Sequence, residues 1–508
     1  MRWERRRPAG SSFPSPVREG AGAGGTPALP LIPPPPLAGG GRGRGTTNAS
    51  SLLDRLFNVR ERGSSIRVEV LGGATTFVTM AYIIVVNPAI LKFAGIPVEP
   101  STVATILTAV FGTLLMGLLA NRPIAVAPYM GENAFIAFGL AAMGVTWQQR
   151  LGTVFVSGLA FLVITVLGLR AWLANSISSS MKHSFGAGIG LFLAFIGLYE
   201  TGIVTSFVAG MPAAALLDKH SGLLLAPDVP VKLGNIRDPQ VLLAIFGFLL
   251  ISALLYRRVR GAILIGMVIT AIAGGLLGFG QAPQGVLAVP FVGEYSLAPL
   301  ALKLDIAGVL KVSFLPVLLT LFLMSFLDTL GTLVGVGSAG GMLDERGNFP
   351  QIERPMLVDA LACVFSGLVG TSTSGAYIES ATGIREGART GLAAVITALL
   401  FACSLFFLPL FGSLQQFRFA YGPALIAVGV LMIASLRKID AEDFTELVPA
   451  FTTVVMMLFT YNIANGLTAG LVVYPIVKLA AGRGRELSAG NVVLALLCLV
   501  YYAFGLPH

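Results

Sequence analysis

The sequence predicts an all-α polytopic membrane protein of fourteen membrane-crossing segments, arranged as two inverted halves of seven. Three observations carry that expectation. Hydrophobic residues make up 55% of the 508 and charged residues only 12%, about half the share found in soluble domains. Mean hydropathy is +0.82. Apolar runs close to the ~20 residues a helix needs to cross a bilayer core recur from residue 71 to residue 504. The alternating segments of a membrane β-barrel, about ten residues each, are not evident.

Residues 1–51 stand apart. They are rich in Pro, Gly and Arg and lack apolar periodicity, a composition that cannot bury enough surface to order itself. No apolar stretch follows the arginines, so the segment does not read as a secretion signal. It is expected to be a disordered tail, or translated sequence upstream of a true start near Leu52. Beyond it, spans are expected at 72–94, 101–120, 126–142, 151–170, 183–204, 240–256, 261–280, 312–338, 355–370, 374–385, 389–411, 421–436, 445–461 and 463–480. A further apolar stretch, 488–504, reads as a C-terminal helix. With the N-terminus cytoplasmic, the inner loops hold Arg122, Arg170, Lys182, Arg257, Arg258, Arg260, Arg346, Arg354, Arg385, Arg389, Arg437, Lys438, Arg483 and Arg485. The outer loops hold fewer basic residues, mainly Arg150, Lys219, Lys232, Arg237 and Lys303. This asymmetry fits an even number of spans and accounts for the net charge of +9 without nucleic acid. Cys363, Cys403 and Cys498 lie far apart in apolar runs, and His183, His220 and His508 are scattered. Neither set has the spacing of a metal site or a disulfide framework.

Seven spans per half place the second half upside down relative to the first. A polar, interrupted segment is third in each half: IAVAPYMGENAFIAF (124–138) and GTSTSGAYIESATG (370–383). Glycine- or proline-interrupted segments at matching positions mark the binding site of many transporters. A charge at the bilayer centre costs at least ~2.5–3.5 kcal/mol, and irregular backbone survives at that depth only where protein or water satisfies it. Glu379, flanked by hydroxyls and glycines, is therefore expected on a broken helix facing a cavity. IAVA and TSTS read as short extended pieces, each followed by a half-helix whose N-terminus points to the midplane. Asp328, deep in the eighth span, is the second candidate; Asn133 and Glu132 in the third span follow. Glu200 and Asp359 read as structural groups. GVGSAG (335–340) matches G-x-G-x-x-G but follows a membrane helix rather than a strand, so it fails the context of a dinucleotide site. Its glycines, like those of FGAGIG (185–190), are expected to serve close helix packing.

Several of these stretches together resemble the nucleobase:cation symporter family, in its AzgA-like branch of adenine/guanine/hypoxanthine permeases. They are TTFVTMAYIIVVNPAIL (75–91), APYMGENAFIAF (127–138), FGAGIGLFLAFIGL (185–198), SFLDTLGTLVGVG (325–337), GTSTSGAYIESATGIREGARTGLAAV (370–395) and PALIAVGVLMI (423–433). The resemblance covers about residues 52–504. It implies a core domain from spans 1–4 (52–182) and 8–11 (307–412), and a gate domain from spans 5–7 (183–306) and 12–14 (413–481). A C-terminal segment, 482–508, follows. It implies substrate held between the third and tenth half-helices by Asp328, Glu379 and Asn133, with alternating access by motion of gate against core, often in a homodimer. The chain departs from the branch at Glu132, where a neutral residue is usual. Thr332 stands where some relatives in the wider uracil branch carry a histidine, so proton coupling would rest on carboxylates.

The expected function is import of purine nucleobases by proton symport across a bacterial inner membrane, with no cofactor, metal or nucleic acid. Glu379 would accept hydrogen bonds from the purine edge. Asp328 would accept a second donor or carry the proton; sodium is the other candidate coupling ion. Tyr377, Phe135 or Phe77 would stack on the ring. Rival readings are a transporter of the same architecture for uracil, xanthine or an anion, a channel, or a membrane-embedded enzyme. The enzyme reading lacks a nucleophile–base pair or metal cluster, and two acids disfavour an anion.

Overall fold

The computed structural model describes residues 52–140, 144–168, 176–209, 231–280, 283, 285–342 and 349–504. The expected tail at 1–51 and the loop charges Arg170, Lys219 and Arg346 lie outside the described residues. Among those described, nine helices are long and apolar enough to cross a membrane, and three shorter apolar helices accompany them.

The first expected span is two helices in line. α1 (Ile66–Met80) ends one turn before α2 (Ile83–Leu91) begins, and the joint carries Tyr82. Ser65 caps the start of α1, its side chain accepting from Val68 N. Pro88 lies inside α2 and has no N–H to offer the carbonyl one turn earlier. Gln415 Nε2 supplies the missing donor to Ile84 O at 3.0 Å. α3 (Val98–Leu118) follows, then strand β1 (Val126–Pro128) and a short buried helix α4 (Met130–Ala134) that widens into a π turn over Phe135–Gly139. α5 (Trp147–Val166) opens with a capping box between Thr146 and Gln149, which satisfies two otherwise orphaned amides.

Arg150, expected in an outer loop, is instead buried in the first turn of α5. Its guanidinium donates to Val145 O, Ile136 O and Ala137 O at 2.9–3.2 Å. It therefore caps the carbonyl end of the third segment, and the basic excess expected on the inner side becomes sharper without it.

α6 (Ser179–Glu200) leads to a small antiparallel hairpin, β2 (Val204–Ser206) with β3 (Val231–Leu233), in a region read from sequence only as loop. α7 (Pro239–Tyr256) and α8 (Ala262–Leu276) follow. Then come α9 (Leu315–Ala339), α10 (Glu353–Val369), strand β4 (Ser374–Ala376), a short helix α11 (Ser380–Arg385) and α12 (Gly391–Ser404). α13 (Leu408–Gln416), α14 (Arg418–Met432), α15 (Phe444–Phe459), α16 (Ile463–Ala480) and α17 (Ala489–Phe504) close the chain.

The helices pack in two groups. In one, α5 lies on α10, α3 on α12, α1 on α12 and α11, and α9 on α5. In the other, α6 lies on α14 and α15, α14 on α7 and α8, and α15 on α16. Glycine sets the closest approach in the second group. A Cβ on Gly190 would lie 2.6 Å from Met432 Cβ, and one on Gly429 would lie 2.4 Å from Gly190 O. The FGAGIG stretch thus packs helices, as its sequence suggested. The GVGSAG stretch runs through the end of α9, where a Cβ on Gly335 would come within 3.2 Å of Ile378. Outward-facing apolar residues such as Leu249, Val166, Ile272 and Phe451 are exposed, as expected where lipid replaces a soluble core.

Candidate substrate cavity

The two interrupted segments meet at strands β1 and β4. They pair antiparallel, Val126 opposite Ala376, Ala127 opposite Gly375 and Pro128 opposite Ser374. Tyr129 N donates to Thr373 O and Tyr377 N to Ala125 O, both at 2.9 Å, which extends the ladder beyond the strands. Both strands are fully buried, so every outward backbone group needs a partner. The Thr113 hydroxyl both accepts from Val126 N and donates to Val126 O. Ser380 Oγ accepts from Ala125 N at 3.0 Å, and Asp359 Oδ2 accepts from Ala376 N at 2.8 Å. The Cys363 thiol donates to Ser374 O. Two hydroxyls that look out of place in a membrane sequence, Thr113 and Ser380, are therefore backbone partners for a two-stranded sheet inside the helix bundle. The extended pieces lie about two residues later than sequence reading put them. Asp359 takes the structural role expected of it. So does Glu200, which accepts from Tyr421 Oη at 3.1 Å and lies 3.6 Å from Arg418 Nε.

A cavity of about 150 Å3 lies where the strands give way to their half-helices. Asp328 and Glu379 both line it, joined by Thr332. Tyr82, Tyr129 and Tyr377 supply aromatic surface, and Val428, Leu431 and Met432 of α14 form an apolar wall. Tyr82 Oη donates to Glu379 Oε1 at 2.8 Å. Tyr129 and Tyr377 lie nearly parallel, 8° between planes with centroids 6.3 Å apart. Their hydroxyls are tied back, Tyr129 to Thr329 Oγ1 at 3.0 Å and Tyr377 to Pro128 O.

The remaining sequence candidates lie outside the lining. Asn133 is fully buried and its amide donates to Asn87 Oδ1 at 2.9 Å. Asn87 in turn donates to Thr105 Oγ1 and Thr371 Oγ1 and accepts from Ser372 Oγ. Glu132 is fully buried behind the cavity, on the short helix that packs against α9, which carries Asp328. Phe135 is buried in the core, and Phe77 packs edge-on against Phe401 at 5.1 Å. Sequence reading missed Tyr82, Tyr129 and Asn87. Pro88 just after Asn87, and the polar residues interrupting an apolar run at Tyr82 and Asn87, were the available signals.

A family model described as "Permease family" matches residues 67–468. The chain belongs to this permease family. Its members are transporters, so the protein is a membrane transporter and not an enzyme. The permease is 38% identical to the adenine permease AdeP of Escherichia coli (strain K12), over 91% of this chain and 98% of that one. It is 38% identical to the guanine/hypoxanthine permease PbuG of Bacillus subtilis (strain 168), over 89% of this chain and all of that one. Among solved structures, the transmembrane domain of the cyanobacterial bicarbonate transporter BicA superposes with a TM-score of 0.52 at 16% identity, covering 80% of the permease and 97% of that domain. That likeness is one of fold.

Proposed function

We propose that the permease is a secondary active transporter that imports purine nucleobases with a coupled proton, by alternating access. One observation carries the reading: Asp328 and Glu379, from different segments, open onto the same small cavity between the two helix groups. A purine offers ring N–H groups and, in adenine or guanine, an exocyclic amine; a carboxylate accepts one or two such donors. Glu379, steadied by Tyr82, accepts from the purine edge, and Asp328 accepts a second donor or carries the proton. The ring lies against Tyr377, with Tyr129 as its parallel neighbour. The adenine and guanine/hypoxanthine permeases that the chain resembles support the substrate class. A pair of carboxyls repels an anion, so anion transport on this fold is set aside.

The packing supports fourteen spans in two inverted halves. Spans four and nine pack together, as do two and eleven; spans five and twelve meet each other, and twelve meets six as five meets thirteen. Exchanging the halves maps each of these contacts onto another, as an inverted repeat requires. In this reading the group holding both carboxyls is the core and the other is the gate. The N-terminus is cytoplasmic, the membrane is the bacterial inner membrane, and a homodimer is the working assembly.

The test is uptake of labelled hypoxanthine into cells or vesicles, competed by a nucleobase panel with and without a proton gradient. Glu379→Gln and Asp328→Asn are expected to abolish uptake while the protein still inserts. Normal uptake by both variants overturns the assignment.

A further inference from the structure

Glu132 is the most conspicuous polar group that substrate binding leaves unused. It sits in α4, wholly buried, and neither carboxyl oxygen has a hydrogen-bond donor. Burying an unpaired carboxylate is among the costliest things a protein can do. The helix that carries it packs on α9, and Asp328 of α9 lines the same cavity as Met130 and Gly131, the two residues just before Glu132. Two ionised carboxylates in contact repel; two carboxyls with one proton between them make a strong charge-assisted hydrogen bond. A single proton therefore satisfies an otherwise orphaned side chain.

The surroundings offer no substitute. The nearby Tyr129, Tyr377 and Cys363 are already paired elsewhere, Tyr129 with Thr329 Oγ1, Tyr377 with Pro128 O and Cys363 with Ser374 O. Asp359 on α10 and Glu379 after β4 add only negative charge nearby. Tyr82, at the head of α2, is committed to Glu379. On α6, Lys182 and His183 lie in the first turn and Glu200 is the last residue. Arg150 of α5 is committed to carbonyls at the end of the π turn. Among the described residues, the ion pairs of Lys and Arg all involve other carboxylates.

We propose that Glu132 and Asp328 hold one exchangeable proton between them, and that this pair is the site through which the proton is coupled to transport. The idea rests on the purine–proton symport reading. Glu132 is a positioning residue: it does not touch the cavity but sets the charge on Asp328, which does. With the proton present the pair carries one negative charge and Asp328 is held in place. When the proton leaves, the two carboxylates repel and Asp328 swings from its position against the substrate. Glu379 is left free to read the purine in both states.

The experiment uses the full chain in proteoliposomes, with wild type, Glu132→Gln, Glu132→Leu and Glu132→Asp. Three readouts are taken: exchange of labelled purine across the membrane, purine-driven proton entry reported by an internal pH dye, and the infrared carbonyl band of protonated carboxyl groups. Gln donates permanently to Asp328 and mimics the loaded pair. Proton entry per purine exchanged should therefore be lost in Glu132→Gln. One protonated-carboxyl band should vanish, and Glu132→Asp should restore part of both. Glu132→Leu, which lacks that mimicry, serves as the second variant if Glu132→Gln does not fold; it too should lose the band. An unchanged flux ratio, or a band that persists in both Glu132→Gln and Glu132→Leu, overturns the proposal. If wild type exchanges no purine while the band is present and lost on substitution, the substrate assignment fails and the proton pair stands.

Discussion

Asn87 is where the structure makes its sharpest demand on one side chain. Its amide joins four segments: α2 itself, α3 through Thr105, the TSTS stretch through Thr371 and Ser372, and α4 through Asn133. Replacing Asn87 with Leu keeps the branched shape but removes all four bonds. The acceptor Thr105 still donates its own hydroxyl to Ser101 O at 2.7 Å, so it loses little. Ser372 Oγ and the Asn133 amide are left as buried donors. Each such group costs about 1–3 kcal/mol, so Asn87→Leu should destabilise by about 2–6 kcal/mol. The assay is thermal unfolding of the detergent-solubilised protein alongside purine uptake. Both should fall. Converting the stranded partners as well, Asn87→Leu with Asn133→Leu and Ser372→Ala, should recover much of the stability, because an apolar cluster of the same shape has no unpaired donors. Uptake should stay low, since the half-helix has lost its tether. If Asn87→Leu alone melts and transports like wild type, the hub does not carry the site.

Two further outcomes follow. At Gly375 a Cβ would lie 2.2 Å from Tyr129 Oη, so Gly375→Ala must push that ring off Thr329, at a cost of about 1–3 kcal/mol for overpacking; a variant with wild-type melting temperature and uptake would show that Tyr129 does not lie over the strand. Past the ends of α15 and α16, the hydrogen bonds from Thr445 and then Arg483 hold Asp443 below the usual carboxylate range, and those from Arg483 and then Lys478 hold Glu486 below it. Depressed carboxylates stabilise the fold above their ordinary values of about 4 and lose that contribution as pH falls through the folded values. Melting curves taken from neutral to acid pH should therefore drop steeply at the acid end, and Asp443→Asn with Glu486→Gln should flatten that drop; parallel curves for variant and wild type would exclude the cluster as the cause.

Helix positions were legible because bilayer thickness imposes one length on every span, and runs such as 463–480 match α16 residue for residue. The break between α1 and α2 was not legible. Only Thr79 and Tyr82 interrupt the apolar run there, and the structure pairs Tyr82 with a distant residue, Glu379. The β2–β3 hairpin was missed for a related reason, since three-residue strands leave no periodicity to read. Asp328 and Glu379 stood out because a carboxylate in a membrane span is rare enough to be a signal alone. Asn133 and Glu132 ranked behind them as candidates, and neither lines the cavity. A sequence shows that a polar group is buried; whether it faces a substrate or another side chain depends on which way the half-helix is turned. Arg150 shows the same limit in reverse, a loop charge by position that folds inward to cap carbonyls.

The cavity's two sides differ in kind, and that difference bears on how transport can work. Both acids and all three tyrosines come from the helix group that also holds the paired strands, whereas α14 contributes only Val428, Leu431 and Met432. Hydrogen bonds to a substrate on the first side are directional and break with small displacements. Contact with the apolar side is non-directional and tolerates sliding. A purine held in this cavity would thus stay with the strands and half-helices as α14 moves past it, breaking no hydrogen bond on the way. Had the carboxyls been split between the two groups, each half-cycle would have to break a charged hydrogen bond in a low-dielectric site, and the bound state would resist the motion that releases its cargo.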